Sequence, residues 1–294
     1  MTDGHDATAR RVTVADGVSL NVIVRAAGSA DVPVLLVHGL ASNARLWDGV
    51  AWRLADAGHP VAALDQRGHG LSDKPDGGYD FATLTADLRA VLEELGWTGA
   101  RRPFAAGQSW GANVVLELAA TRPEPVAGLA LVDGGTAELA ARFADWPTCE
   151  AALAPPALDG LDAGGFERMI RGAHPDWPEE GIAGILANVE TGPDGRIRPR
   201  LTRSRHLTIL RHLWEHRPSR LYPAIEVPVL VLAAEDAANH RWMAAKRAEV
   251  ARAGAALPTS VTRWIAGDHD LHAQHPDLVA SLIHEATGPG LFPR

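Results

Sequence analysis

Apolar and polar positions along this chain fall into two alternating spacings. Residues 11–15 and 18–26 alternate apolar with polar side chains on either side of Asp16-Gly17, the signature of a β-hairpin. Short continuous apolar runs follow at 33–37, at 61–64, from Phe104, at 126–132, at 227–232 and at 261–265, as expected of strands covered on both faces. Between them lie segments with apolar residues at helical spacing: 46–57 before Gly58, 81–95 before Gly96, one running to about Thr121, 241–253 and 272–286. Strand and helix in alternation predict right-handed crossovers and an α/β fold, with helices on both faces of a mostly parallel sheet.

That alternation lapses between Gly134 and Tyr222. Proline and glycine punctuate the stretch at Pro147, Pro155-Pro156, Gly164-Gly165, Pro193 and Pro199, and helical spacing survives only around 166–171, 181–189 and 201–216. The pattern predicts a helical insertion over the sheet at 134–221, splitting a core made of 1–133 and 222–294. Residues 288–294 read as a loose tail.

Composition narrows the classes of function. A chain of 294 residues that is 46% hydrophobic and 22% charged suits a globular α/β domain. With 28 basic against 36 acidic residues the net charge is −8, which argues against nucleic acid held by phosphate neutralisation. A single cysteine, Cys149, allows no intrachain disulfide and no thiolate metal cluster, and suits a reducing compartment. Residues 1–11 lack an apolar signal core, and runs such as 227–234 are too short to span a bilayer. A cytoplasmic location without a membrane partner is therefore expected. No P-loop occurs and no G-x-G-x-x-G follows a strand, so no organic cofactor is implied, and a small-molecule substrate is the expected partner. His212 and His216 stand four apart without a third ligand, so no metal is expected.

The stretch that carries chemistry is Gly107-Gln108-Ser109-Trp110-Gly111, set between an apolar run and a helical segment. This is the context of a nucleophile elbow, in which flanking glycines relieve the crowding of a strand-to-helix turn. The serine oxygen then projects over the carboxyl ends of the strands, beside the first free N–H groups of a helix; that of Trp110 can hold an oxyanion. A hydroxyl needs a base, and the base needs an orienting group. Gly267-Asp268-His269 lies just past the last predicted strand, which favours His269 over His272 and His275 within the following helix. The Trp110 ring is open to two readings, an acyl-pocket wall or a packing residue.

Taken together these residues resemble the α/β-hydrolase superfamily. The resemblance rests on His38-Gly39 after an early strand, the loop from Asp65 to Gly70, the elbow at Ser109 and Gly-Asp-His before the last helix, and covers residues 20–285. It implies an eight-stranded sheet, a helical cap and hydrolysis through an acyl-serine intermediate. It also makes the Leu40 N–H the second oxyanion donor and gives His38 a supporting role. The usual acid position of the family is occupied here by Ala237, so Asp236 is the first choice after a one-residue slip, with Glu235 and Asp133 as alternatives. Asp133, at the end of the preceding strand, stands where some members carry the acid. Epoxide hydrolases and haloalkane dehalogenases of this fold place an aspartate at the nucleophile position, where this chain has Ser109.

The expectation is a serine hydrolase cleaving a small or medium, largely apolar carboxylic ester or lactone, with a triad of Ser109, His269 and Asp236. Alternatives with the same triad are a C–C bond hydrolase or a cofactor-free haloperoxidase (perhydrolase); an alternative of another class is a non-catalytic small-molecule receptor. Trp146, Trp177 and Trp214 of the insertion, with Phe166, Met169, Ile185 and Leu186, are open to two readings: a largely apolar lining of the substrate pocket or, the safer one for any single residue, the insertion's own core. The arginines of 196–220 are read either as a lure for a carboxylate-bearing substrate or as a solvated helix face.

Overall fold

A computed structural model describes residues 7–25, 31–121, 125–158, 160–236 and 240–292. Strands β1 (Ala7–Thr13) and β2 (Ser19–Arg25) form the antiparallel hairpin at one edge, closed by the Val14 N–H on the Val18 carbonyl, with Gly17 at φ +79° in the turn. Then come β3 (Val34–Val37), α1 (Asp48–Asp56), β4 (Val61–Leu64), α2 (Phe81–Glu94), β5 (Phe104–Gln108), α3 (Trp110–Ala120) and β6 (Gly128–Val132). After the insertion the chain resumes with β9 (Val229–Glu235), α9 (His240–Ala256), β10 (Ser260–Ala266), α10 (Leu271–Gln274) and α11 (Pro276–Thr287). The eight strands lie in the order β1-β2-β4-β3-β5-β6-β9-β10, parallel from β4 onward. Among the described residues no helix is long and apolar enough to cross a membrane.

Side-chain alternation along the central strands builds two cores, because successive residues of a strand face opposite sides of the sheet. Leu35 and Val37 of β3 join Leu88, Val115 and Val250 beneath α2, α3 and α9, whereas Val34 and Leu36 join Val50, Leu54 and Ile283 beneath α1 and α11. The purely apolar runs of the sequence follow from this double covering.

Between β6 and β9 the chain forms α4 (Leu139–Arg142), α5 (Trp146–Leu153), α6 (Ala163–Ala173), α7 (Glu179–Leu186) and α8 (Arg203–Glu215). Aspartate and threonine side chains cap three of them: Asp145 before α5, Asp162 before α6 and Thr202 before α8. The insertion also holds a small antiparallel ribbon, β7 (Val189–Thr191) with β8 (Ile197–Pro199), which the helical pattern does not announce. Two further differences have plain causes. The predicted helix 272–286 is broken at Pro276, which lacks the N–H a continuous helix needs. The expected loose tail is anchored over part of its length, since Leu291 and Phe292 pack against the core beneath α1 and α11.

Candidate active site

Strand register brings the first two groups together. Gln108 pairs with Val132, so Ser109 and Asp133 leave the sheet side by side, and the Ser109 N–H donates to the Val132 carbonyl at 2.9 Å. Ser109 forms the turn between β5 and α3 with φ +52° and ψ −118°. A non-glycine residue held there stores about 1–3 kcal/mol of strain, maintained by the surrounding packing. Three glycines permit that packing: a Cβ on Gly107 would overlap the Gly111 carbonyl, one on Gly111 the carbonyls of Val37 and His38, and one on Gly134 the carbonyl of Ser109.

Asp133 is also in the left-handed region, at φ +46°, and its carboxylate is buried. One oxygen, Oδ1, accepts from the Ala234 N–H at 2.8 Å and pairs with Lys246 Nζ at 2.6 Å; the other, Oδ2, meets His269 Nδ1 at 2.7 Å. Burial pushes this carboxyl up, but the His269 bond and charge and the Lys246 cation outweigh it and hold it below the usual carboxylate range. On His269 the balance runs the other way. More than half of its side chain is accessible, yet the protein packed around the ring disfavours its charge, while the bond to Asp133 and that carboxylate's charge lift its pKa above the ordinary histidine value. With Nδ1 donating to a carboxylate, a neutral ring keeps its lone pair on Nε2.

Ser109, Asp133 and His269 line one cavity of about 360 Å³. Phe143, Leu213, Trp242 and Met243 give it apolar walls, with Asn113, Lys246 and Arg142 among its polar groups. The Trp110 N–H is the first of α3 and has no acceptor within the helix. The Leu40 N–H donates to no acceptor among the described residues. Its turn lies directly against the elbow, for a Cβ on Gly39 would overlap the Gln108 side chain. His38 braces that turn: its Nε2 accepts from the Gln66 N–H at 3.0 Å and its Nδ1 donates to the Gly39 carbonyl at 2.7 Å. Complete burial holds this ring below the ordinary histidine pKa and therefore neutral.

Several expected site residues stand elsewhere. Asp236 lies on the wall of the same cavity, but the carboxylate that meets the His269 ring is that of Asp133. Glu235 pairs with Arg247. The insertion tryptophans do not line the cavity. Trp146 and Trp214 meet 6.2 Å apart with the Arg211 guanidinium over both, and Trp177 Nε1 donates to Asp268 Oδ2 at 3.0 Å, tying the insertion to the His269 loop. The Trp110 ring is fully buried and stacked on His69, 5.4 Å between centroids, and Trp110 also stands among the residues that line the Ser109 cavity.

His272 is buried against Trp47, 4.3 Å away, where burial pushes its pKa down to about 3, and His275 Nε2 meets the Ala266 carbonyl at 3.0 Å. Five arginines of 196–220 are spoken for by carboxylates and carbonyls: Arg198 by Asp194, Arg200 by Glu190, Arg205 by Asp76, Arg211 by Glu215 and Arg196 by the Gly160 carbonyl. His216 Nε2 meets Glu117 at 3.0 Å and its ring stacks on Phe81, and among the described residues no three His, Cys, Asp or Glu side chains converge as a metal site.

Sequence reasoning missed the supports of His269. Gln108 Nε2 donates to the His269 carbonyl at 3.1 Å, and Gln274 Oε1 accepts from the Asp268 N–H at 2.8 Å. Lys246 had a readable signal, since Trp242, Met243, Lys246 and Glu249 share one helical face; the cavity that this face covers was not readable.

The comparisons with known proteins agree with this fold. A family model described as "alpha/beta hydrolase fold" matches residues 32–174. Epoxide hydrolase A of Mycobacterium tuberculosis is 33% identical over 208 residues, which are 65% of this chain and 62% of that protein, so the chain spans under two thirds of its length. The 2-(acetamidomethylene)succinate hydrolase of Mesorhizobium japonicum is 28% identical over 93% of both chains. A crystal structure of E-2-(acetamidomethylene)succinate hydrolase superposes with a TM-score of 0.75 at 25% identity, covering 95% of this chain and 98% of that one.

Proposed function

The chain belongs to the α/β-hydrolase superfamily, and within it we propose a serine hydrolase that cleaves a small or medium, largely apolar carboxylic ester or lactone. The observation that carries the reading is a serine at φ +52° on a strand-to-helix turn, in one cavity with a histidine bonded through Nδ1 to a buried, charged aspartate. In this mechanism Ser109 Oγ attacks the carbonyl carbon while His269 Nε2 takes its proton. Asp133, in place of the expected Asp236, holds the Nδ1–H and stabilises the imidazolium. The N–H groups of Leu40 and Trp110 receive the oxyanion. The imidazolium then protonates the departing alkoxide, and water activated by the same ring releases the acid. A serine at position 109 supports acyl rather than alkyl transfer, whatever the names of similar proteins.

A second reading, amide cleavage, is favoured by Asn113. Asn113 lines the cavity; its Nδ2 donates to the Ser109 carbonyl at 3.2 Å, while its buried Oδ1 has no partner among the described residues. A relative aligned along 93% of the chain is named for the hydrolysis of an acetamido compound. The test is labelling of Ser109 by a fluorophosphonate, with turnover of phenyl acetate and acetanilide compared side by side. Labelling and ester turnover, both lost in Ser109→Ala, are expected. Turnover of acetanilide above phenyl acetate would select the amide reading, and a folded protein that neither labels nor turns over would leave the receptor reading.

A further inference from the structure

A second cavity, of about 240 Å³, lies between the insertion and the loop that follows Leu40. It shares no lining residue with the Ser109 cavity. Phe166, Met169 and Ile170 of α6, with Val189 and Leu201, make it largely apolar, and Ser42 and His206 contribute its two buried polar side chains. Both are more than nine-tenths buried, and Ser42 Oγ and His206 Nδ1 have no hydrogen-bond partner among the described residues. A buried polar atom left unpaired carries the desolvation penalty of an unmade hydrogen bond, so these two mark a place where a partner is wanted.

The chemistry of that partner follows from the hydrogen bonds already made. His206 Nε2 meets the Leu153 carbonyl at 3.3 Å, so it carries the proton, and a neutral ring offers Nδ1 as an acceptor. Burial holds this ring below the ordinary histidine pKa, in keeping with neutrality. Ser42 Oγ donates or accepts. The cation nearest to hand, Arg200, is already paired with Glu190, which leaves little attraction for an anion. A cavity of about 150 Å³ lined by hydrocarbon accepts benzene, so this one has room for a substituted ring.

We propose that this cavity is a binding site for a neutral, mostly apolar alcohol or phenol, whose O–H donates to His206 Nδ1 and which takes a second hydrogen bond from Ser42. Met169, a lining residue that is half-exposed on α6, connects the cavity to solvent on a side whose lining excludes Ser109. The site is independent of what Ser109 does.

Calorimetric titration of the whole chain with 4-ethylphenol, and with ethylbenzene as the hydrocarbon of like shape, tests this. One equivalent of 4-ethylphenol is expected to bind, about tenfold or more tighter than ethylbenzene. Ser42→Ala and His206→Phe should each weaken the phenol about fivefold without touching ethylbenzene. Met169→Trp, which fills this cavity, should abolish binding, whereas Leu213→Trp, which fills the other, should leave it intact; melting curves verify that each variant is folded. The mild Ser42→Ala change keeps the test decisive if His206→Phe fails to fold. Absence of binding, equal affinity for phenol and hydrocarbon, or loss in Leu213→Trp with retention in Met169→Trp would overturn the proposal.

Discussion

Asp133 and Asp236 follow neighbouring strands of one sheet and face one cavity, yet the His269 ring meets the carboxylate of Asp133. Asp133 is buried, held by a backbone N–H, a lysine and the His269 ring, and kept charged by them. Asp236 sits half-exposed beyond the end of β9. The cause is an overshoot. The strand β6 makes its last pairing with β9 at Val132↔Leu232, but β9 continues to Glu235 and β10 keeps pace to Ala266. The His269 loop leaves from that protruding edge and turns back over the shorter strand, where Asp133 waits. Where a carboxylate ends up in the sheet's relief, rather than its distance from a strand in sequence, sets its role.

The comparison can be broken most severely at the nucleophile. Ser109→Ala is expected to lower kcat by about 10⁴ or more, and Asp133→Asn by about 10⁴, measured with a p-nitrophenyl ester on protein whose melting curve is unchanged. Asp236→Asn should cost less than about threefold; a reversed order between the two aspartates would restore the assignment read from sequence. Next in size is Gly134→Ala, whose methyl would overlap the Ser109 carbonyl. A loss of about 1–3 kcal/mol in stability, read from urea unfolding, should accompany a collapse of activity.

Smaller effects sharpen the electrostatic side. The base must be neutral to act, and Asp133 raises the His269 pKa, so the acid limb of kcat/KM should lie above the ordinary histidine value of about 6.5. Lys246 works against that rise. Lys246→Met should therefore move the limb further toward alkaline pH by a few tenths of a unit, whereas a shift toward acid would show that the lysine acts mainly by holding Asp133 in place.

Much of the site was legible because it is local. The glycines around Ser109 answer to a strained turn whose neighbours lie within a few residues or directly across a strand, and Gly267-Asp268-His269 follows a strand visible from its apolar run. The tryptophans of the insertion were open to two readings for the opposite reason, and packing within the insertion's clusters is where they stand. Aromatic residues on short, proline-punctuated helices give no hint of which surface each will meet, and here Trp146 and Trp214 meet each other and an arginine while Trp177 meets the loop of the base. The cavity's aromatic lining comes from Trp110, from Phe143 and from Trp242 on the helix after β9.

What the sequence determined alone was the order of strands and helices outside the insertion, the nucleophile turn and the histidine beyond the last strand, since each rests on periodicity or on backbone crowding between near neighbours. The tertiary structure decided which carboxylate reaches that histidine, which lysine keeps it charged and which side chains close the two cavities. Those outcomes depend on relative strand length and on the docking of the insertion, which are settled by packing between residues a hundred or more positions apart.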